Sequence, residues 1–138
     1  MGSIGVYLHI PFCDGKCPYC DFYSLSSLTP LLLDDYTDAL IRSITYWSEE
    51  IAATADTVYF GGGTPSLLGA HRIERVLSCV RDRFSVSPDA EITMEVNPSR
   101  ELTDILCAFA SQGGNRLSIG MQSAHEDELR LLGRRHTR

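Results

Sequence analysis

The chain has 138 residues, the length of one small domain. Hydrophobic residues make up 43% and charged residues 22%, values that allow a packed core and exclude a disordered chain. The net charge of −6 speaks against general nucleic-acid or anionic-membrane binding, with Arg130, Arg134, Arg135 and Arg138 the local exception.

In chain order, strand and helix patterns alternate. Val6-Tyr7-Leu8-His9-Ile10 is short, β-branched and aromatic, and Pro11 stops it. A cysteine-rich loop follows. From Asp34 to about Ala53, Tyr36, Leu40, Ile44, Trp47 and Ile51 recur at helical spacing, with Asp34 or Asp35 as the expected cap. Thr57-Val58-Tyr59-Phe60 reads as a second strand that runs into Gly61-Gly62-Gly63-Thr64-Pro65. Ile73, Val76, Leu77, Val80 and Phe84 mark a second helix. Glu91 to Val96 reads as a third strand stopped by Asn97-Pro98, and Leu102, Ile105, Leu106 and Phe109 as a third helix ended by Gly113-Gly114. Arg116 to Gly120 is a fourth strand, and Leu129, Leu131 and Leu132 mark a last helical stretch.

Strand–helix repeats of this length predict an α/β fold with a parallel sheet. Each unusual loop falls just after a strand, where parallel α/β folds bind ligands, so the loops are expected to meet on one rim. About four βα units cannot close a barrel and leave an unpaired edge. The expectation is an incomplete, partial parallel barrel: residues 1–138 as the N-terminal part of a larger domain, with the remaining strands and a C-terminal domain absent. A complete four-stranded open sheet is the alternative.

Cys13, Cys17 and Cys20 lie within eight residues. Three thiolates this close cannot all pair as disulfides, but they can reach one metal centre. Five cysteines, an odd and clustered set, suit metal ligation in a reducing compartment. No apolar run is long enough to span a bilayer and no signal peptide is visible, so the expected location is the cytoplasm. Two chemistries stay open from the spacing. An iron–sulfur cluster would keep one iron without a protein ligand. A zinc site would need His9 as its fourth ligand. His9 reads otherwise as a rim residue, or as an axial haem ligand. Cys79 and Cys107 read as helix packing residues. The glycine run lacks the Lys-Ser or Lys-Thr of a P-loop.

The spacing Cys13-x3-Cys17-x-Tyr19-Cys20 resembles the signature of the radical S-adenosylmethionine (SAM) enzymes. Around it, Tyr7-x-His9-Ile10-Pro11-Phe12, Gly61 to Ser66, Glu95-Val96-Asn97-Pro98, Asn115 to Gln122-Ser123 and Leu132-Gly133-Arg134-x-His136 are similar to the oxygen-independent coproporphyrinogen oxidase branch. The oxidases carry a fourth cysteine where this chain has Phe22, and a long extension before the cysteine loop. Both departures resemble the HemW-type haem chaperones instead.

The resemblance implies a 4Fe–4S cluster on Cys13, Cys17 and Cys20, with SAM on the open iron and, in active members, reductive cleavage of SAM to a 5′-deoxyadenosyl radical. It implies SAM contacts from Tyr7, Tyr19, Gly62, Gly63, Thr64, Glu95, Gln122 and Arg134. The residues alone also allow Glu95 as a solvated strand residue and Arg134 as a helix-dipole partner. Implied partners are haem or porphyrin, an electron donor and a haem-acceptor protein. The alternatives are coproporphyrinogen III oxidation, a structural zinc module and an inactive remnant.

Overall fold

In a computed structural model the described residues are 2–99 and 101–137; Arg138 of the basic group lies outside them. Four strands form one parallel sheet in the order β1 (Ser3–Ile10), β2 (Thr54–Gly62), β3 (Ser85–Val96) and β4 (Arg116–Ile119). Helices α1 (Pro30–Glu50), α2 (Ala70–Arg83), α3 (Thr103–Ser111) and α4 (Glu126–Leu131) follow them in turn, and a short 3-10 helix, Pro65–Leu68, follows the glycine run. The predicted α/β half-barrel architecture stands. Among the described residues no helix is long and apolar enough to cross a membrane.

Alternation along each strand sorts the side chains to two faces. Leu8, Ile10, Val58, Phe60, Ile92, Met94 and Val96 turn to the helices, where Ile44, Ile73, Val76, Leu77, Val80 and Phe109 complete one core. The other face is polar. Tyr7, Tyr59, Thr93 and Arg116 stand in register on it, with Glu95 and Ser118 in the next row. On β4 even the helix side is open: Ile119 is 59% exposed.

Helix α1 starts earlier than Asp34. Thr29 caps it by accepting from the Leu32 N–H at 3.2 Å, and Pro30 takes the first turn, where its missing N–H costs nothing. Asp34 instead pairs with Arg72 of α2 at 2.7 Å, and that hydrogen bond holds its carboxyl below the usual range. Strand β3 begins six residues before Glu91. Pro88 sits where the pairing to β2 is interrupted, as a proline within a sheet requires. Asn115 supplies side-chain partners there, accepting from the Ile92 N–H and donating to the Ala90 carbonyl. Cys79 packs against the core as expected. Cys107 does not: it is exposed, because Leu102, Ile105 and Phe109 occupy the opposite face of α3.

Phe60 is fully buried, edge-on to Phe109 with ring centroids 6.2 Å apart. Phe60→Ala is expected to cost about 3–5 kcal/mol. Ile119→Ala, on the open side, is expected to cost less than about 0.5 kcal/mol. Urea unfolding of both variants checks the contrast.

Candidate metal centre

The cysteine loop leaves β1 at Pro11 and is pinched where it starts and ends. The Leu25 N–H donates to the Pro11 carbonyl at 2.8 Å, and the Cys13 N–H to the Leu25 carbonyl at 3.0 Å. Phe12 drives this closure. Its ring is fully buried and meets Tyr36 of α1 edge-on at 5.0 Å. Residues 13–24 are therefore an excursion rooted in the core. Cys13, Cys17 and Cys20 are half-buried, free of disulfides, and line one cleft of about 760 Å³.

The glycine run closes against this loop. The Gly63 N–H donates to the Ile10 carbonyl at 2.8 Å and the Thr64 N–H to the Phe12 carbonyl at 2.7 Å. A Cβ on Gly63 would stand 2.5 Å from the Phe12 oxygen, so only glycine permits the approach. Gly62, at φ +114°, gives its N–H to Glu95 Oε2 at 3.1 Å. The three N–H groups are occupied, so the run is not an anion nest.

Glu95 is half-buried rather than solvated. It accepts from the Tyr59 hydroxyl at 2.7 Å as well as from Gly62. The bond to Glu95 is the first cause that raises Tyr59 above its ordinary pKa, with burial next. Thr64 is buried; its hydroxyl lies 3.8 Å from Cys13 Sγ and accepts from Asn97 Nδ2 at 3.0 Å.

Arg134 enters from beyond α4. Gly133, at φ +67°, ends that helix in a Schellman arrangement, with the Arg134 N–H on the Leu129 carbonyl and the Gly133 N–H on the Arg130 carbonyl. The guanidinium turns away from the helix, which excludes a dipole role. It donates to Asn97 Oδ1 at 2.5 Å, the Gly120 carbonyl at 2.6 Å, Tyr19 Oη at 3.4 Å and Cys17 Sγ at 3.6 Å. Its Nε is buried without a partner. Burial, then the hydrogen bond to Cys17, raises the Tyr19 pKa, and the Arg134 cation opposes this.

All four strand-end loops thus meet in the cleft. Cys13, Cys17, Cys20, Tyr19, Gly62, Gly63, Thr64, Glu95, Gln122 and Arg134 line it together. Gln122 is exposed and holds φ +66°, the one left-handed non-glycine backbone among the described residues. Tyr7 does not line the cleft. It stacks on Tyr59 with ring centroids 6.2 Å apart and hydrogen-bonds His9 Nδ1 at 2.9 Å, its pKa raised by burial and then by the Glu95 charge. Asn97, which joins Thr64 to Arg134, stands in the sequence as a strand stop and a motif position without a side-chain role of its own. Its signal was its place at the carboxyl end of a strand.

Among the described residues no three Cys, His, Asp or Glu side chains converge on a point for a single ion, and His9 faces the open sheet. Three free thiols on one loop, facing one cleft, are a donor set that fits a cluster with one iron left without a protein ligand. The cleft has the size of an ordinary cofactor site.

Residues 7–138 match the radical SAM superfamily. The chain belongs to that superfamily. It is 40% identical to the haem chaperone HemW of Escherichia coli, over 99% of this chain and 36% of that protein. It is 41% identical to the anaerobilin synthase of Escherichia coli O157:H7, over 86% of this chain and 27% of that protein. The structure of coproporphyrinogen III oxidase (HemN) from Escherichia coli, a radical SAM enzyme, superposes with a TM-score of 0.87 at 33% identity, over 96% of this chain and 31% of that one. The chain spans about a third of the length of these relatives.

Gly63→Ala is expected to cost about 1–3 kcal/mol, because backbone lies where the methyl group would go. Urea unfolding measures it, and faster proteolysis within residues 13–24 is the expected companion. A raised tyrosine stabilises the fold in its protonated form. The Tyr59–Glu95 contribution is therefore whole below about pH 10, the unfolded value, and is lost as pH climbs through the folded one. Tyr59→Phe is expected to cost about 1 kcal/mol near neutral pH, with the gap to wild type closing above about pH 10. Unfolding measured across that range decides it.

Proposed function

We propose that Cys13, Cys17 and Cys20 hold a 4Fe–4S cluster, that SAM binds across the neighbouring strand-end loops, and that the chain is the N-terminal part of a haem chaperone. The observation that carries this reading is the convergence of three unpaired thiols, Glu95, the glycine run and Arg134 in one cleft. When bound, a cluster with one iron free of protein ligands supplies a metal position for SAM and a source of one electron.

The chain's own residues then divide the binding. Glu95, fixed by Tyr59 and Gly62, offers carboxylate oxygens to the donors of SAM. Gly62, Gly63 and Thr64, whose N–H groups are occupied, serve the amino end of SAM as acceptors. Arg134, its terminal nitrogens held by Cys17, Tyr19, Asn97 and Gly120, borders the same space as a fixed positive charge facing the carboxylate end of SAM. Tyr19 presents a half-exposed ring to adenine, and Gln122 borders the same space. Tyr7 lies one row deeper and reaches this set through Tyr59.

The haem reading rests on likeness to the haem chaperone HemW over nearly the whole chain and on Phe22, which lines the cleft where the oxidases carry a fourth cysteine. Haem is cargo in this reading, received and passed to an acceptor protein, with a separate electron donor.

Anaerobic reconstitution is expected to give iron and sulfide in a cluster ratio. Replacing any one of the three cysteines by alanine is expected to abolish it. Electron paramagnetic resonance of the reduced protein is expected to change when SAM is added; an unchanged spectrum sinks the SAM reading. Absorbance titration is expected to show haem binding. Turnover of coproporphyrinogen to protoporphyrinogen would replace the chaperone reading with the oxidase.

A further inference from the structure

The cysteine loop is covered by a segment more than a hundred residues away in sequence. Gly133 packs so closely on Pro18 that an added Cβ would lie 2.9 Å from its ring. Arg135 donates to Asp14 Oδ2 at 2.9 Å and to the Asp14 carbonyl at 3.0 Å, and its guanidinium fills the space beside Gly15. Between these two contacts, Arg134 reaches Cys17 Sγ and Tyr19 with one nitrogen and anchors the other to Asn97 and Gly120 at the ends of β3 and β4.

We propose that residues 133–135 are a strap over the cysteine loop, and that Arg134 is a positioning residue that fixes Cys17 and makes a cluster held there easier to reduce. Two observations support this. The guanidinium is anchored to sheet-end groups on one side and to the thiol on the other, so it ties Cys17 to the rigid part of the fold. It is also a permanent cation, and a cation that donates to a thiolate ligand stabilises the more negative, reduced form of a cluster. The reduction itself adds one electron from an external low-potential reductant, and no bond to the protein forms or breaks. The inference rests on the cluster reading of Cys13, Cys17 and Cys20.

The test is a redox titration with dithionite, followed by electron paramagnetic resonance without SAM, on wild type, Arg134→Gln and Arg134→Lys. Working without SAM keeps any role of Arg134 in SAM binding out of the measurement. Arg134→Gln is expected to shift the potential to more negative values. Arg134→Lys, which keeps the charge, is expected to lie between that variant and wild type. Equal potentials in all three overturn the inference while leaving the cluster reading intact. A wild type that takes up no iron and sulfide sinks the cluster reading instead, and this inference with it. If Arg134→Gln loads no cluster, hydrogen exchange on the metal-free proteins decides. Faster exchange in residues 13–20, with β1 and β2 unchanged, supports the strap; unchanged exchange there overturns it.

Discussion

The site depends on one close approach of two backbones. Phe12 is held by its buried ring, and the chain at Gly63 lies against its carbonyl group. From that contact the rest follows. The cysteine loop is pinned at its first residue, and the Thr64 N–H is directed at the Phe12 oxygen. The Thr64 hydroxyl is then left beside Cys13 and within reach of Asn97. A core residue and a missing side chain together set the position of groups that themselves lie in a cleft.

The second constraint is the polarity of one sheet face. Parallel sheets are ordinarily covered on both faces and read as continuous apolar runs. Here only the helix side is apolar. The other side carries tyrosine, threonine, glutamate and arginine in register, and Tyr59 and Glu95 tie adjacent strands across it. These polar rows lead up to the cleft at the strand ends. The same alternation therefore builds the core on one side and places Glu95 at the cysteine-lined cleft on the other.

Much of this was legible in the sequence. Period-two strands, period-3.6 helices and their punctuation by Pro11, Asn97-Pro98 and Gly113-Gly114 placed all four βα units. Thr29-Pro30 was a readable helix start that the more conspicuous Asp34 obscured, since an acidic residue near an N-terminus looks like a cap whether or not it pairs elsewhere. That the three cysteines share one cleft was legible because they lie within eight residues of one loop. The partners of Arg134 were not. Its bonds run to Asn97, Gly120 and Cys17, which meet only after three crossovers, and no local pattern records such a meeting. Cys107 was misread for a simpler reason: beside apolar residues a cysteine looks buried until the helix face is known.

The strap carries a consequence in time. Arg135 and Asp14 are separated by 121 positions. A ribosome adding 5–20 residues per second takes about 6–24 s to cover that interval. During it the three thiols have emerged but their cover has not. Throughout that window they are open to metals, oxidants and each other, and the finished arrangement can be reached only after the last of its parts has been made.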